Sequence, residues 1–367
     1  MKDFIDLFEQ NLFPIFYLKV VGAFVGSFLI SLLSIPTIIK ISLRKNLMDE
    51  PRERSSHERK IPNLGGIAIF YSATICTSIF AYELFGHYKF LFASLVILLY
   101  IGVMDDIVEM SAYKKLFAQI IVSIFIVIGS DVRIRSLFGL FGIYELNYYI
   151  SIIFSLITFI VMINAFNLID GIDGLAGGYS ILSSLFFGLS YYRLGEYNYP
   201  LVLLSVVIIG ATLGFLRYNI SRRRNIKIFM GDTGSMILGL LLVFTKIEFI
   251  DIFIEKGRVG PLYHLKTAPV IGIAILILPI IDTLNVIIIR LLKKKSPLKA
   301  DRNHIHHSLL DLGLSHQRAS LYILIYYIGI VIITYFLRHL EVNILLLIVF
   351  LLGFIGAYIP KIILKLR

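Results

Sequence analysis

The stretch "YKFLFASLVILLYIGVMDDIVEM", Tyr88 to Met110, stays predominantly apolar up to Met104 and then meets two adjacent aspartates, Asp105 and Asp106. An apolar run of this kind is suited to the bilayer core, where a helix needs roughly 20 predominantly apolar residues to cross. The pattern recurs along the chain. Over 367 residues, 58% are hydrophobic and only 16% charged, with a mean hydropathy of +0.86. A soluble domain could not cover that much apolar surface, so the bilayer is the main solvent.

Eleven segments are expected to span it: 17–43, 65–83, 88–104, 116–131, 147–165, 176–193, 199–217, 232–249, 267–290, 319–338 and 341–361. The expected fold is an all-α integral membrane protein, one polytopic domain over 1–367, with no inner loop much beyond about 30 residues. Asp3, Asp6 and Glu9 stand where a cleavable signal would carry positive charge, so the first span is expected to be retained. The single cysteine, Cys76, excludes an intrachain disulfide and a cysteine metal cluster.

Orientation follows from the basic residues. With the N-terminus outside and the C-terminus in the cytoplasm, the inner segments hold 23 of the 35 Lys and Arg and the outer segments 10. That bias is the one expected for bacterial-type topology. It also accounts for most of the formal charge of +11 through topology and anionic lipid, so nucleic acid is not needed as a partner.

Sorted by side, the polar groups gather on the cytoplasmic face. "GVMDDIVEM" closes the third span, "NLIDGIDGL" with Asn167, Asp170 and Asp173 closes the fifth, "IFMGDTGS" with Asp232 opens the eighth, and "DRNHIHH" lies in the longest inner loop. Adjacent side chains on a helix point about 100° apart. One of Asp105 and Asp106 can therefore face a metal while the other faces a substrate; a wet helix end is the plainer alternative. Asp232 can be an ordinary N-cap, but the glycines and hydroxyl of "GDTGS" at a helix N-terminus also suit a bound anion. Asn167, Asp170 and Asp173 share a face if helical, whereas Gly171 and Gly174 make a broken turn equally acceptable.

His304, His306 and His307 could suggest zinc. Their setting among Lys293, Lys294, Lys295, Lys299 and Arg302 favours phosphate and sugar contacts instead. "SSHERKIPNLGG" adds His57, Arg59 and Lys60. Carboxylate oxygens, an anion-binding helix end and a basic rim together describe a magnesium–diphosphate site at a membrane surface. The spanning helices imply a lipid partner. A transporter or flippase with an acidic coupling site is the competing class; such sites lie near the midplane, whereas these acids gather at one face.

The motifs "SSHERKIPNLGG", "MDDIVE", "NLIDGIDGLAGG", "FMGDTGS" and "DRNHIHHSLLDLGLSHQRA", in this order, resemble the polyprenyl-phosphate N-acetylhexosamine-1-phosphate transferases. The resemblance implies transfer of sugar-1-phosphate from a UDP-N-acetylhexosamine to undecaprenyl phosphate with release of UMP. It implies Mg2+, with Mn2+ substituting, and a place in the bacterial inner (cytoplasmic) membrane at the start of surface-polysaccharide assembly. By position, Asp105 and Asp106 match the aspartate pair that includes the proposed base or nucleophile. Asp170 and Asp173 match the catalytic cleft, and Asp232, with Asp106, the metal site. Asn167, Phe229, His57, Lys60, Arg302, His304, His306 and His307 are expected to contact substrate, Phe229 as an aromatic against uracil. Asp282 matches an acidic position in the ninth span. Asn63 departs from the Arg or Thr often found there. The last loop resembles that of enzymes taking a simple UDP-N-acetylhexosamine rather than a muramoyl-pentapeptide donor. Direct attack and a phospho-aspartate path both stay open, as does a homodimer.

Overall fold

The computed structural model describes residues 2–48, 60–254, 265–292, 294 and 304–366, with side chains from 15 onward except 224. Each expected span falls on a helix. These are α1 (Lys2–Lys45), α2 (Gly65–Phe80), α3 (Glu83–Ile107), α4 (Ala112–Ile124), α5 (Tyr148–Ile169), α6 (Leu175–Arg193), α7 (Tyr199–Asn219), α8 (Gly231–Asp251), α9 (Ala268–Ile275) with α10 (Ile277–Leu292), then α12 (His316–Phe336) and α13 (Val342–Leu366). A short α11 (Ile305–Asp311) sits before α12.

The fold is that of an all-α multi-pass membrane protein. Among the described residues, eight helices are long and apolar enough to cross a bilayer, or nine with α9 and α10 as one span. Two expected spans fall short for different reasons. α2 has only 16 residues, and α6 has four serines and three glycines. The one strand pair among the described residues is the hairpin of β1 (Ser136–Leu140) and β2 (Ile143–Glu145), at the end of the molecule away from Asp105. Arg135 ties it to α8 through Asp251.

α8 is apolar on all sides and is buried along nearly its whole length, as expected for a central helix. α3 and α5 pack along it, and α2 crosses its start. Those crossings depend on glycine. A Cβ on Gly66 would lie 2.1 Å from the Gly234 nitrogen, and one on Gly102 would lie 2.4 Å from Thr233 Cα. Small residues that let backbones meet are the usual means of close packing in membranes. Gly102→Val is therefore expected to push the start of α8 away from α3, costing about 2 kcal/mol by overpacking and lowering turnover along with melting temperature. A variant with unchanged melting and turnover would show that the helices can separate freely here.

The ninth span is broken by 75° between α9 and α10. Pro279 lacks the N–H that would bond the Ile275 carbonyl one turn back. That carbonyl instead accepts three hydroxyls, from Tyr179 at 2.8 Å, Tyr327 at 2.9 Å and Ser183 at 3.2 Å. Neighbouring helices thus satisfy a backbone group that hydrocarbon could not. The bend swings α10 so that Asp282 meets α11.

Candidate active site

The start of α8 has no side-chain cap of its own, because its N-cap residue is Met230. α3 supplies the cap from 126 residues away. Asp106 Oδ1 accepts the Asp232 N–H at 2.8 Å, and Oδ2 accepts the Thr233 N–H at 3.1 Å and the Thr233 hydroxyl at 2.6 Å. Free N–H groups and the helix dipole both favour a carboxylate there. Gly231, at φ +72°, leaves room, since a Cβ would meet the Asn63 carbonyl at 2.1 Å and the Asp106 carboxylate at 2.5 Å. Asn63 holds the other side by donating to the Asp106 carbonyl at 3.0 Å.

The resemblance pairs Asp106 with Asp232 as metal ligands. Asp106 faces the backbone of α8, and it is Asp105 that converges with Asp232. Between them lies Lys115 from the first turn of α4, with Nζ 2.6 Å from Asp105 Oδ2 and 2.5 Å from Asp232 Oδ2. Asp105 is oriented by the Met110 N–H, which its Oδ1 accepts at 2.7 Å. Asn167, in the last turn of α5, donates to Ser235 at 2.8 Å, beside Asp232.

α5 ends at Ile169, so the three-residue spacing of Asn167, Asp170 and Asp173 does not continue on a helix. The broken turn is what forms. Asp170 follows the helix end directly. Its carboxyl is held well above the ordinary range, first by loss of hydration and then by the charges of Asp232, Asp173 and Asp106. Four carboxyl groups, from Asp105, Asp106, Asp170 and Asp232, therefore share one neighbourhood, with the Lys115 ammonium bonded to Asp105 and Asp232.

Asp173 borders that group and has cations of its own. Its Oδ2 takes Lys227 Nζ and lies 3.5 Å from His316 Nδ1, while its backbone carbonyl accepts Ser320 at 2.7 Å. Burial opposes its charge, but His316 and Lys227 outweigh burial and hold the carboxyl below its usual value. A depressed folded pKa adds stability above the unfolded value, near 4, that disappears as pH falls through the folded one. Asp173→Asn should therefore cost about 2 kcal/mol at pH 7, below a fully buried pair because Lys227 is partly solvated. The gap from wild type should close below pH 4 in paired melting curves; a gap independent of pH would remove the ion pair as its cause.

Lys227 also lies over the Phe229 ring, 5.6 Å from its centroid. Phe229 is half-buried, and its backbone is zipped to the "PNLGG" segment. The Phe229 N–H bonds the Pro62 carbonyl at 2.8 Å, while the Gly65 and Gly66 N–H groups bond the Phe229 and Met230 carbonyls at 3.0 and 2.8 Å. Two motifs far apart in sequence thus form one wall.

The three histidines are buried, and their first contacts are protein. His304 Nδ1 is 2.6 Å from Asp282 Oδ2, and the Ile305 N–H donates to Asp282 Oδ1 at 2.8 Å. His306 stacks on His304, tilts against His307 and lies against Gly171, where a Cβ would come 2.2 Å from Nε2. Burial pushes the His306 pKa down to about 3, so it meets any anion as a neutral hydrogen-bonding ring. Lys60 is exposed on the chain leading to α2. His57 and Arg302 lie outside the described residues. Beside Ile305, an apolar cavity of about 200 Å³ opens between α10, α12 and α13, lined by residues including Ile281, Leu309 and Tyr326.

Lys115, Lys227 and His316 complete the site without having been singled out from sequence. Each had a visible signal: Lys114 and Lys115 follow the aspartate pair in the same inner loop, Lys227 is two residues before Phe229, and His316 lies inside the last motif.

A profile described as glycosyl transferase family 4 matches residues 88–250, the interval holding all six of Asp105, Asp106, Asn167, Asp170, Asp173 and Asp232. The chain is 32% identical over 322 residues to a probable undecaprenyl-phosphate N-acetylglucosaminyl 1-phosphate transferase of Bacillus subtilis, covering 86% of this chain and 83% of the relative. It is 31% identical to an undecaprenyl-phosphate alpha-N-acetylglucosaminyl 1-phosphate transferase of Haemophilus influenzae, covering 83% and 82%. It is 30% identical to a decaprenyl-phosphate N-acetylglucosaminephosphotransferase of Mycolicibacterium smegmatis, covering 79% and 75%. An acidic cleft assembled from motifs in this order, together with likeness over most of the chain, has one consequence: the protein belongs to glycosyl transferase family 4.

Proposed function

We propose that this protein transfers N-acetylhexosamine-1-phosphate, from UDP-N-acetylglucosamine or a close relative, to undecaprenyl phosphate. UMP would leave, and the product would start a cell-envelope polysaccharide. The observation that carries this reading is the convergence of Asp105 and Asp232 on Lys115, with Asp170 and Asn167 beside them and an apolar cavity next to the histidines. The matching pattern of helices and basic loops supports eleven crossings, with the N-terminus outside and the site on the cytoplasmic face of the bacterial inner membrane.

Among the described residues, no three acids or histidines converge to hold an ion by themselves. Magnesium does not need three. It is commonly held by one or two carboxylates with substrate phosphate and water completing the shell, and Asp105 and Asp232 provide two carboxylates in an acid-rich neighbourhood. Bound there, magnesium would neutralise the diphosphate, and manganese should serve in its place.

The residues of the chain divide the remaining work. Lys115 is placed to pass from the two carboxylates to a phosphate oxygen. Asp106 and Asn63 fix the start of α8, and Asp170 and Asn167 border the same space. Phe229 offers a ring face for uracil. The Asp282–His304 pair orients α11, so that His306 faces the "DGIDG" turn at Gly171. An oxygen of the lipid phosphate bonds to the sugar-bearing phosphorus, and the bond from that phosphorus to the bridging oxygen breaks, its electron pair leaving with UMP. A phosphate monoester is largely dianionic at neutral pH, so no strong base is required. Both Asp106 oxygens are engaged by α8, which favours direct attack over a phosphorylated Asp106.

The test supplies purified protein with undecaprenyl phosphate and either UDP-N-acetylglucosamine or a UDP-muramoyl-pentapeptide, with UMP release as the readout. Turnover with the first alone is expected, stopping on chelation and returning with magnesium or manganese but not zinc. Efficient use of the pentapeptide donor would overturn the donor assignment. Full activity after exhaustive chelation would overturn the metal.

A further inference from the structure

Three helices that begin at the acidic cleft end together on the opposite face. α6, α8 and α12 start at Leu175, Gly231 and His316 and finish at Arg193, Asp251 and Phe336. At 1.5 Å per residue each covers roughly 30 Å, the thickness of a bilayer core. Between their far ends and α9 lies a cavity of about 760 Å³, several times larger than the apolar one beside the histidines.

Its floor is apolar, formed by Phe186, Ile271, Ile275 and Val331. Its rim carries Arg193, Lys266 and Arg338, and none of the described residues that line it is acidic. The arginines are held by neutral partners. Arg193 donates to the Tyr335 hydroxyl at 2.8 Å, while Arg338 lies 4.4 Å from the Tyr335 ring centroid and donates to the Tyr335 carbonyl at 2.9 Å. Among the described residues, no carboxylate pairs with any of the three cations. Leu189, Ile332 and Phe336 also line the cavity and are exposed, so its side is open to hydrocarbon.

The inside-positive pattern disfavours basic residues at this face, yet three of the ten outer ones meet at one cavity. The geometry points to a binding site for an anionic lipid, with its headgroup phosphate against Arg193, Lys266 and Arg338 and its chains over the apolar floor. Free phosphate would occupy the rim alone and leave the floor and the open side without a partner. The volume falls within the range of small-molecule sites, enough for a headgroup and the upper part of its chains. The site is separate from the transfer chemistry and takes its ligand from the leaflet opposite the cleft.

The test is native mass spectrometry of the purified full-length chain, washed in neutral detergent and titrated with phosphatidylglycerol, phosphatidylcholine or inorganic phosphate. Wild type should retain phosphatidylglycerol where phosphatidylcholine is lost. Since each basic residue near an anionic headgroup is worth about fivefold in affinity, Arg193→Gln/Lys266→Gln/Arg338→Gln should weaken retention on the order of 100-fold. Ala274→Phe, which fills the floor and leaves the rim charges in place, should also release the lipid. Both variants should keep basal UMP release, showing that they are folded. Equal retention of the two lipids by wild type overturns the proposal without any variant. So does undiminished phosphatidylglycerol binding in the triple variant, or inorganic phosphate binding that depends on the same three residues.

Discussion

Asp232→Asn is expected to lower turnover by about 10³-fold, the scale of removing one preorganised electrostatic group from a reacting centre, while leaving the protein able to insert, purify and melt as wild type does. The separation of effects follows from where the side chain points. Its backbone N–H is held by Asp106, and that bond survives the change. Its carboxylate oxygen faces Lys115 at 2.5 Å, away from that backbone bond. Asparagine has the same shape, so α8 keeps its place and only the charge is lost.

Asp106→Asn makes the contrast. There the new amide would turn N–H groups towards the α8 donors that Asp106 now accepts. Losing that cap should cost about 1–2 kcal/mol of stability, so melting and turnover should fall together. Measuring both quantities for both variants separates a ligand of the reacting centre from a support of it. Asp232→Asn with more than about a tenth of wild-type turnover at limiting magnesium would remove Asp232 from the centre.

The spans are legible because hydropathy is read locally, and a segment that must face hydrocarbon carries its own evidence. α2 and α6 show where this ends. Each is half or more buried against other helices, so a short length in one and serines in the other are tolerated. The break in the ninth span has a signal, Pro279, but a proline within a membrane helix does not by itself dictate a bend. What sustains the bend is three hydroxyls on α6 and α12, which no local pattern links to Ile275.

The acids of the site are legible for a similar reason, being costly near hydrocarbon and gathered at one face. Their division of labour is not. Asp105 and Asp106 are equivalent in sequence, and only the packing of α3 on α8 through Gly102 sends one to a helix cap and the other to Lys115. Lys115 itself is hidden by the inside-positive rule, which already accounts for a basic residue in an inner loop.

Lys115→Met separates two descriptions of that residue. As it stands, Nζ is the counter-ion shared by Asp105 and Asp232. If it were only a structural clamp, removing it would leave two repelling carboxylates, lower stability and little specific effect on chemistry once an ion had replaced it. If it also carries charge to the substrate phosphate, turnover should fall by about 10²–10³-fold even when the ion is saturating. The second outcome is expected, because substrate, acceptor and product are all anions and the described cleft holds no other ammonium bonded between these acids. A divalent cation and the ammonium seek the same oxygens, so the substitution should also tighten magnesium binding. Melting curves against magnesium concentration should show a larger ion-induced rise in Lys115→Met than in wild type, beside the loss of UMP release. Tighter magnesium binding with wild-type turnover would reduce Lys115 to the clamp. Unchanged magnesium binding would mean that Asp105 and Asp232 are not the carboxylates that meet the ion.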